Sequence, residues 1–169
     1  MLLAIQPVQP ASSSSQVTVH PGDDIQSLVN SHPPGTSFLI IPGTYRLQSI
    51  RPKDGDTFTG QPGATLNGAA ILDNFTQQGQ YWVADVPVSS LHSYRGECDK
   101  QHPACMYPED LFFDSKPLKR VAGLSAVGPG SWYLDYSTEK VYVGSDPGGH
   151  TVELSEAHAA FWGSASNVS

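Results

Sequence analysis

Apolar residues along this chain come mostly in short alternating runs. In "QVTVHPGDD", Val17 and Val19 alternate with polar neighbours, which predicts a short strand. Pro21-Gly22 turns it. Asp23 or Asp24 then stands where a helix cap is needed, and Ile25, Leu28 and Val29 share one face at helical spacing. Pro33-Pro34-Gly35 stops that helix, "SFLIIP" reads as a buried strand, Gly43 as a turn and "TYRL" as the next strand. From Gln48 to Leu72 the apolar positions shrink to Ile50, Thr57-Phe58, Ala64–Leu66 and Ile71-Leu72. They are separated by "PKDGD", "GQPG" and "NGA". Strands of only about three to five residues joined by Gly/Asn/Asp turns suit a parallel β-helix coil better than a sandwich.

The rhythm changes after Asn74. "GQYWVADVP" alternates around Trp82, and "LFFD" and "LKRVA" read as a hairpin turned at Ser115-Lys116-Pro117. "GSWYLDYSTEKVYVG" is a second hairpin: Trp132, Leu134 and Tyr136 alternate, "STEK" turns, and Val141 and Val143 alternate back. "HTVELSEA" adds a strand, and "AAFWGSASNVS" returns to the short apolar style of the first part. Four segments follow: a flexible leader or signal remnant at 1–16, a β unit at 17–74, an antiparallel β insertion at 75–155 and a return at 156–169.

Composition narrows the functional classes. The 169 residues suffice for a domain with a real core, and 16 Gly with 14 Pro imply many turns. Nine basic against 16 acidic residues give a net charge of -7, with no Lys/Arg run, so a nucleic-acid partner is not expected. No stretch approaches the roughly 18 apolar residues of a membrane span. The first residues, "MLLAIQPVQPASSSSQ", begin apolar and then turn small, but lack a basic start and are interrupted by Pro7 and Pro10. Low charge and paired cysteines point to a secreted or periplasmic setting.

Two blocks carry a family resemblance. "VHPGDDIQSLVNSHPPGTSFLIIPGTYRL", followed by "ATLNGA", resembles the N-terminal cap and first coil of right-handed parallel β-helix proteins of the pectate-lyase-like superfamily. "PEDLFFDSKPLKRV" followed by "GPGSWYLDYSTEKVYVG" resembles the β insertion of many bacterial members. The resemblance covers roughly residues 17–169. It implies a mainly β fold: a β-helix cap and first coil with one short capping helix, interrupted by antiparallel β hairpins. It also implies a carbohydrate-related role, with polysaccharide as partner of the full-length protein. It supplies no catalytic residue here, because such proteins place their groove along later coils. A cap with about one coil is short of the three repeats that solenoids need. The chain therefore reads as a fragment whose end, near Phe161 and Trp162, would be exposed and self-associating.

Candidate chemistry lies in "HSYRGECDKQHPACMY". It holds both cysteines, Cys98 and Cys105, with His92 and His102. A disulfide across C-x6-C, worth roughly 2.5 kcal/mol by chain entropy, is favoured over free thiols and over a Cys2His2 zinc site whose spacing fits no standard finger. Asp23/Asp24, Asp54/Asp56 and Glu109/Asp110 are close carboxylate pairs that could serve acid–base hydrolysis or calcium. Helix capping explains the first pair, a turn the second and solvent exposure the third. Trp82, Trp132, Tyr133, Tyr136, Tyr142 and Trp162 could stack on sugars, but alternating aromatics more often fill a core. Asn74 and Asn167 head glycosylation sequons. No hydrolase elbow, dinucleotide fingerprint or phosphate loop occurs. The expected role is a non-catalytic N-terminal segment of a secreted carbohydrate-active protein, inactive alone, with no cofactor, no metal and no catalytic residue. A β-helical surface or binding protein without enzymatic activity is the alternative, and a small zinc module a third reading.

Overall fold

A computed structural model describes residues 16–86, 97–101, 104, 105 and 107–169. Among them the protein is mainly β, with one α-helix. Its strands are β1 (Gln16–Val19), β2 (Ser37–Ile40), β3 (Gly43–Arg46), β4 (Thr57–Gly60), β5 (Ala64–Asn67), β6 (Ala69–Ile71) and β7 (Thr76–Gln78). Then follow β8 (Tyr81–Asp85), β9 (Leu111–Phe113), β10 (Lys116–Pro117), β11 (Lys119–Arg120), β12 (Ser131–Asp135), β13 (Lys140–Val143) and β14 (Val152–Ser155). The helix, α1, spans Ile25–Ser31. No helix among the described residues is long and apolar enough to cross a membrane. The described residues divide into two compact units, one drawn from 16–45, 50–65 and 161–169, the other from 46–49 and from 66 to 160.

In the first unit β1, β2 and β4 form a parallel sheet in the order β1-β2-β4. Register places Val17, Phe38 and Phe58 in one row. Phe38 stacks on Phe58 with ring centroids 5.0 Å apart, and Phe58 meets Phe161 edge-on at 4.9 Å. This ladder runs outward: Phe38 is buried, whereas Phe161 is 40% exposed. Residues 161–169 run along the same unit. Trp162 N donates to Ile50 O at 3.0 Å and Phe58 N to Ser169 O at 2.7 Å, with a parallel bridge between Ile50 and Phe161. The helix forms as its pattern predicts. Asp24 caps it, accepting from Ser27 N at 3.1 Å, and Ile25 and Val29 are buried. At its other end Lys53 Nζ donates to the carbonyls of Asn30 and His32, which the helix leaves without partners. Gly43 turns β2 into β3 with φ 148°, and a Cβ there would sit 2.4 Å from Pro21 Cγ, so only glycine fits.

The second unit has two sheets, ordered β10-β9-β14-β6 and β11-β12-β13-β8-β7. Leu111, Phe113, Val152 and Leu154 of the first sheet share one apolar core with Trp132, Leu134, Val141 and Val143 of the second. The β12–β13 hairpin has the predicted register, Trp132 opposite Val143 and Leu134 opposite Val141. The other hairpin departs from prediction. It turns at Asp114-Ser115, both with positive φ, and its return arm is only Lys116–Pro117. Lys119–Arg120, expected on that arm, joins the other sheet and pairs with β12 in parallel. The 75–155 segment, expected to be antiparallel, therefore includes a parallel pairing. The reason is Leu118: its N–H still bonds Leu111 O at 2.8 Å, and the next N–H, Lys119, already donates to Gly130 O at 3.0 Å. Gly144 has no room for a side chain, since a Cβ would lie 2.1 Å from Gly128 O.

Candidate functional site

The carboxylate pairs resolve differently. Asp23 accepts from His20 N and Asp24 from Ser27, so the first pair shapes the turn into α1. Hydrogen bonds from the Ser27 hydroxyl and N–H hold the Asp24 carboxyl below its ordinary pKa. Asp54 accepts from Ser166 N at 2.8 Å. Asp56 is buried and accepts from Thr36 N at 3.1 Å and Lys53 N at 2.8 Å, so it ties two loops together. The third pair was expected at the surface, and for Glu109 that expectation fails: it is 1% exposed.

Glu109 anchors a buried ionic cluster. Arg120 Nη1 donates to Glu109 O at 2.8 Å and to Glu109 Oε2 at 3.2 Å, and Nη2 donates to the Tyr136 hydroxyl at 3.0 Å. That hydroxyl in turn donates to Glu109 Oε2. The guanidinium carbon lies 4.6 Å from the Tyr107 ring centre and 4.7 Å from that of Trp132, and Tyr107 stacks on Tyr136. Burial, reinforced by the bond to Glu109, pushes the Tyr136 hydroxyl well above the ordinary tyrosine range despite the nearby Arg120. Tyr136 thus stays a neutral donor at physiological pH. Every charge in the cluster meets another of its members, an arrangement that builds structure. Arg120 also borders a cleft of about 670 Å³ with Lys100, Lys119 and Cys105.

No local pattern marked this cluster. Glu109 and Arg120 are 11 positions apart and Glu109 and Tyr136 are 27 apart, and β9, β11 and β12 bring them together. The other aromatics split. Trp132 is fully buried, with no hydrogen-bond partner for its indole N–H among the described residues, whereas Trp162 is 49% exposed with Arg51 over its ring at 3.9 Å. Trp82, Tyr133 and Tyr142 are half-buried.

Cys98 and Cys105 are joined in a disulfide, with Cα atoms 5.6 Å apart. His92 and His102 lie outside the described residues. Among the described residues no group of three or more His, Cys, Asp or Glu side chains could hold a metal ion.

No protein-family model matches the chain, and no curated protein matches it. Two solved structures resemble it. One is XylC in complex with xylose, at a TM-score of 0.68 and 14% identity over 87% of this chain. The other is a glycoside hydrolase, at a TM-score of 0.52 and 12% identity over 86% of this chain. The chain spans 32% of the first and 47% of the second. At such identities the likeness is one of fold.

Proposed function

We propose that this chain is a non-catalytic N-terminal segment of a secreted or periplasmic carbohydrate-active protein. In this reading residues 17–74 are the cap and first coil of a right-handed parallel β-helix, 75–155 an inserted β section and 156–169 the start of the next coil. The likeness to XylC over most of the chain carries the reading. The parallel β1-β2-β4 sheet and the Phe38–Phe58–Phe161 ladder support it, because solenoid coils stack like residues in register. Phe161 and Trp162 would then meet a further coil or, failing that, a second copy of the chain. The disulfide supports an oxidising compartment.

Affinity electrophoresis of the chain through gels containing xylan, pectin or a β-glucan tests the reading, alongside an assay for released reducing ends. The expected result is retardation by at least one polysaccharide with no cleavage. Cleavage abolished by changing one of the chain's own carboxylates would remove the non-catalytic role. Absence of retardation by every polysaccharide would leave a β-helical protein of another purpose.

A further inference from the structure

A second cleft, of about 400 Å³, opens in the second unit between the Ile71–Asp73 segment, Phe75 and Trp82 on one side and the 146–152 segment on the other. We propose that it is a binding subsite for neutral pyranose saccharides, an inference that rests on the carbohydrate reading above. Its volume falls within the ordinary range of ligand pockets, roughly 300–1,000 Å³.

The lining has the two components that sugars need. Trp82 and Phe75 pack against the apolar core yet remain partly or half exposed within the cleft wall, so each offers ring surface to the C–H face of a pyranose. Asp73, Asp146 and His150 add polar groups for hydroxyls. Two of these are already fixed in place. Asp146 Oδ1 accepts from Gly148 N at 2.8 Å, which orients the carboxylate and leaves its other oxygen to accept from a ligand hydroxyl. The His150 ring stacks on Phe113 with centroids 5.2 Å apart, and its Nδ1 lies 2.7 Å from Asp114 Oδ2. With Nδ1 engaged by Asp114, Nε2 is the ring nitrogen left to meet a ligand hydroxyl. Groups held this way lose little freedom on binding.

Charge selects among saccharides. The described residues lining the cleft include two carboxylates and no Lys or Arg, in a protein of net charge -7. A uronate would meet repulsion with no cation to offset it. A divalent cation is a poorer occupant, because no group of three ligating side chains converges among the described residues.

The test is an NMR titration of the full chain with xylose, xylotriose and, as charged control, trigalacturonic acid. It follows the Trp82 indole N–H, assigned with Trp82→Phe. Xylotriose should move that resonance saturably in the millimolar range, and trigalacturonic acid should not. Asp73→Asn, Asp146→Asn and Phe75→Ala should each weaken binding about tenfold while the rest of the spectrum keeps its dispersion. An unmoved Trp82 resonance with shifts elsewhere would overturn the subsite and leave the carbohydrate reading standing. No shift anywhere with xylose, xylotriose or trigalacturonic acid, together with no retardation in any polysaccharide gel, would overturn both. An equal response to trigalacturonic acid would overturn the selectivity for neutral sugars.

Discussion

The two units bury their carboxylates by different means. In the first, Asp56 is held by two backbone N–H groups, from Thr36 and Lys53. In the second, Glu109 is held by the side chains of Arg120 and Tyr136. Backbone donors exist at every residue but proline, so an aspartate that turns a loop finds them wherever the loop goes. Side-chain partners must be present at chosen positions on other strands. The first unit therefore needs one polar residue where the second needs three. The apolar packing differs in the same sense. The first unit stacks Phe38, Phe58 and Phe161 along a line that ends partly exposed, and the second closes residues of two sheets around Trp132.

The largest test of this contrast is Glu109→Ala. It leaves Arg120 buried without its carboxylate and should cost about 3–5 kcal/mol in urea unfolding. The double variant Glu109→Leu with Arg120→Met should recover most of that loss. A cost for the single variant below about 1 kcal/mol would mean that water replaces the carboxylate, and the contrast would lapse. Asp56→Ala should cost less, about 1–3 kcal/mol, for two orphaned N–H groups. Hydrogen exchange should then quicken at Thr36 and Lys53 while β9 and β12 stay protected. Faster exchange in β9 and β12 as well would show that the two burial schemes are not independent.

Two smaller effects are pH effects of opposite sign. Tyr136 has a raised pKa in the folded state, so its contribution is complete below the unfolded tyrosine value near 10 and is lost as pH rises from there through the folded value. Alkaline unfolding should therefore begin near pH ~10 and shift in Tyr136→Phe, read by melting temperature against pH. Asp24 is the reverse case. Its pKa is depressed by Ser27, so its contribution is present above about 4 and is lost as pH falls through the lower folded value. Asp24→Asn should flatten the acid limb slightly, the smallest change of the set because the residue is exposed. An unchanged acid limb would assign acid sensitivity to other depressed carboxylates, Asp114 and Asp135.

Local signals carried much of the fold. The cap at Asp24, the stop at Pro33, the alternation Phe38/Ile40 and the Trp132–Val143 hairpin all arise within a few residues, where periodicity and turn chemistry operate. The return arm after Asp114-Ser115 departs from its local pattern because strand propensity does not say which sheet a strand joins. Competition between β9 and β12 for Lys119–Arg120 is settled by tertiary hydrogen bonding.

By itself the sequence determined the short strands, the capped helix, the mainly β character and the closeness of Cys98 to Cys105. The tertiary structure decided that Glu109 is buried, that Arg120 crosses to the second sheet, and that Phe75, Trp82, Asp146 and His150 line one cleft. The physical reason is range. Capping, turning and alternation act over a few bonds along the chain, whereas a buried charge or a binding cleft depends on which distant strands pack together, and no local pattern encodes that choice.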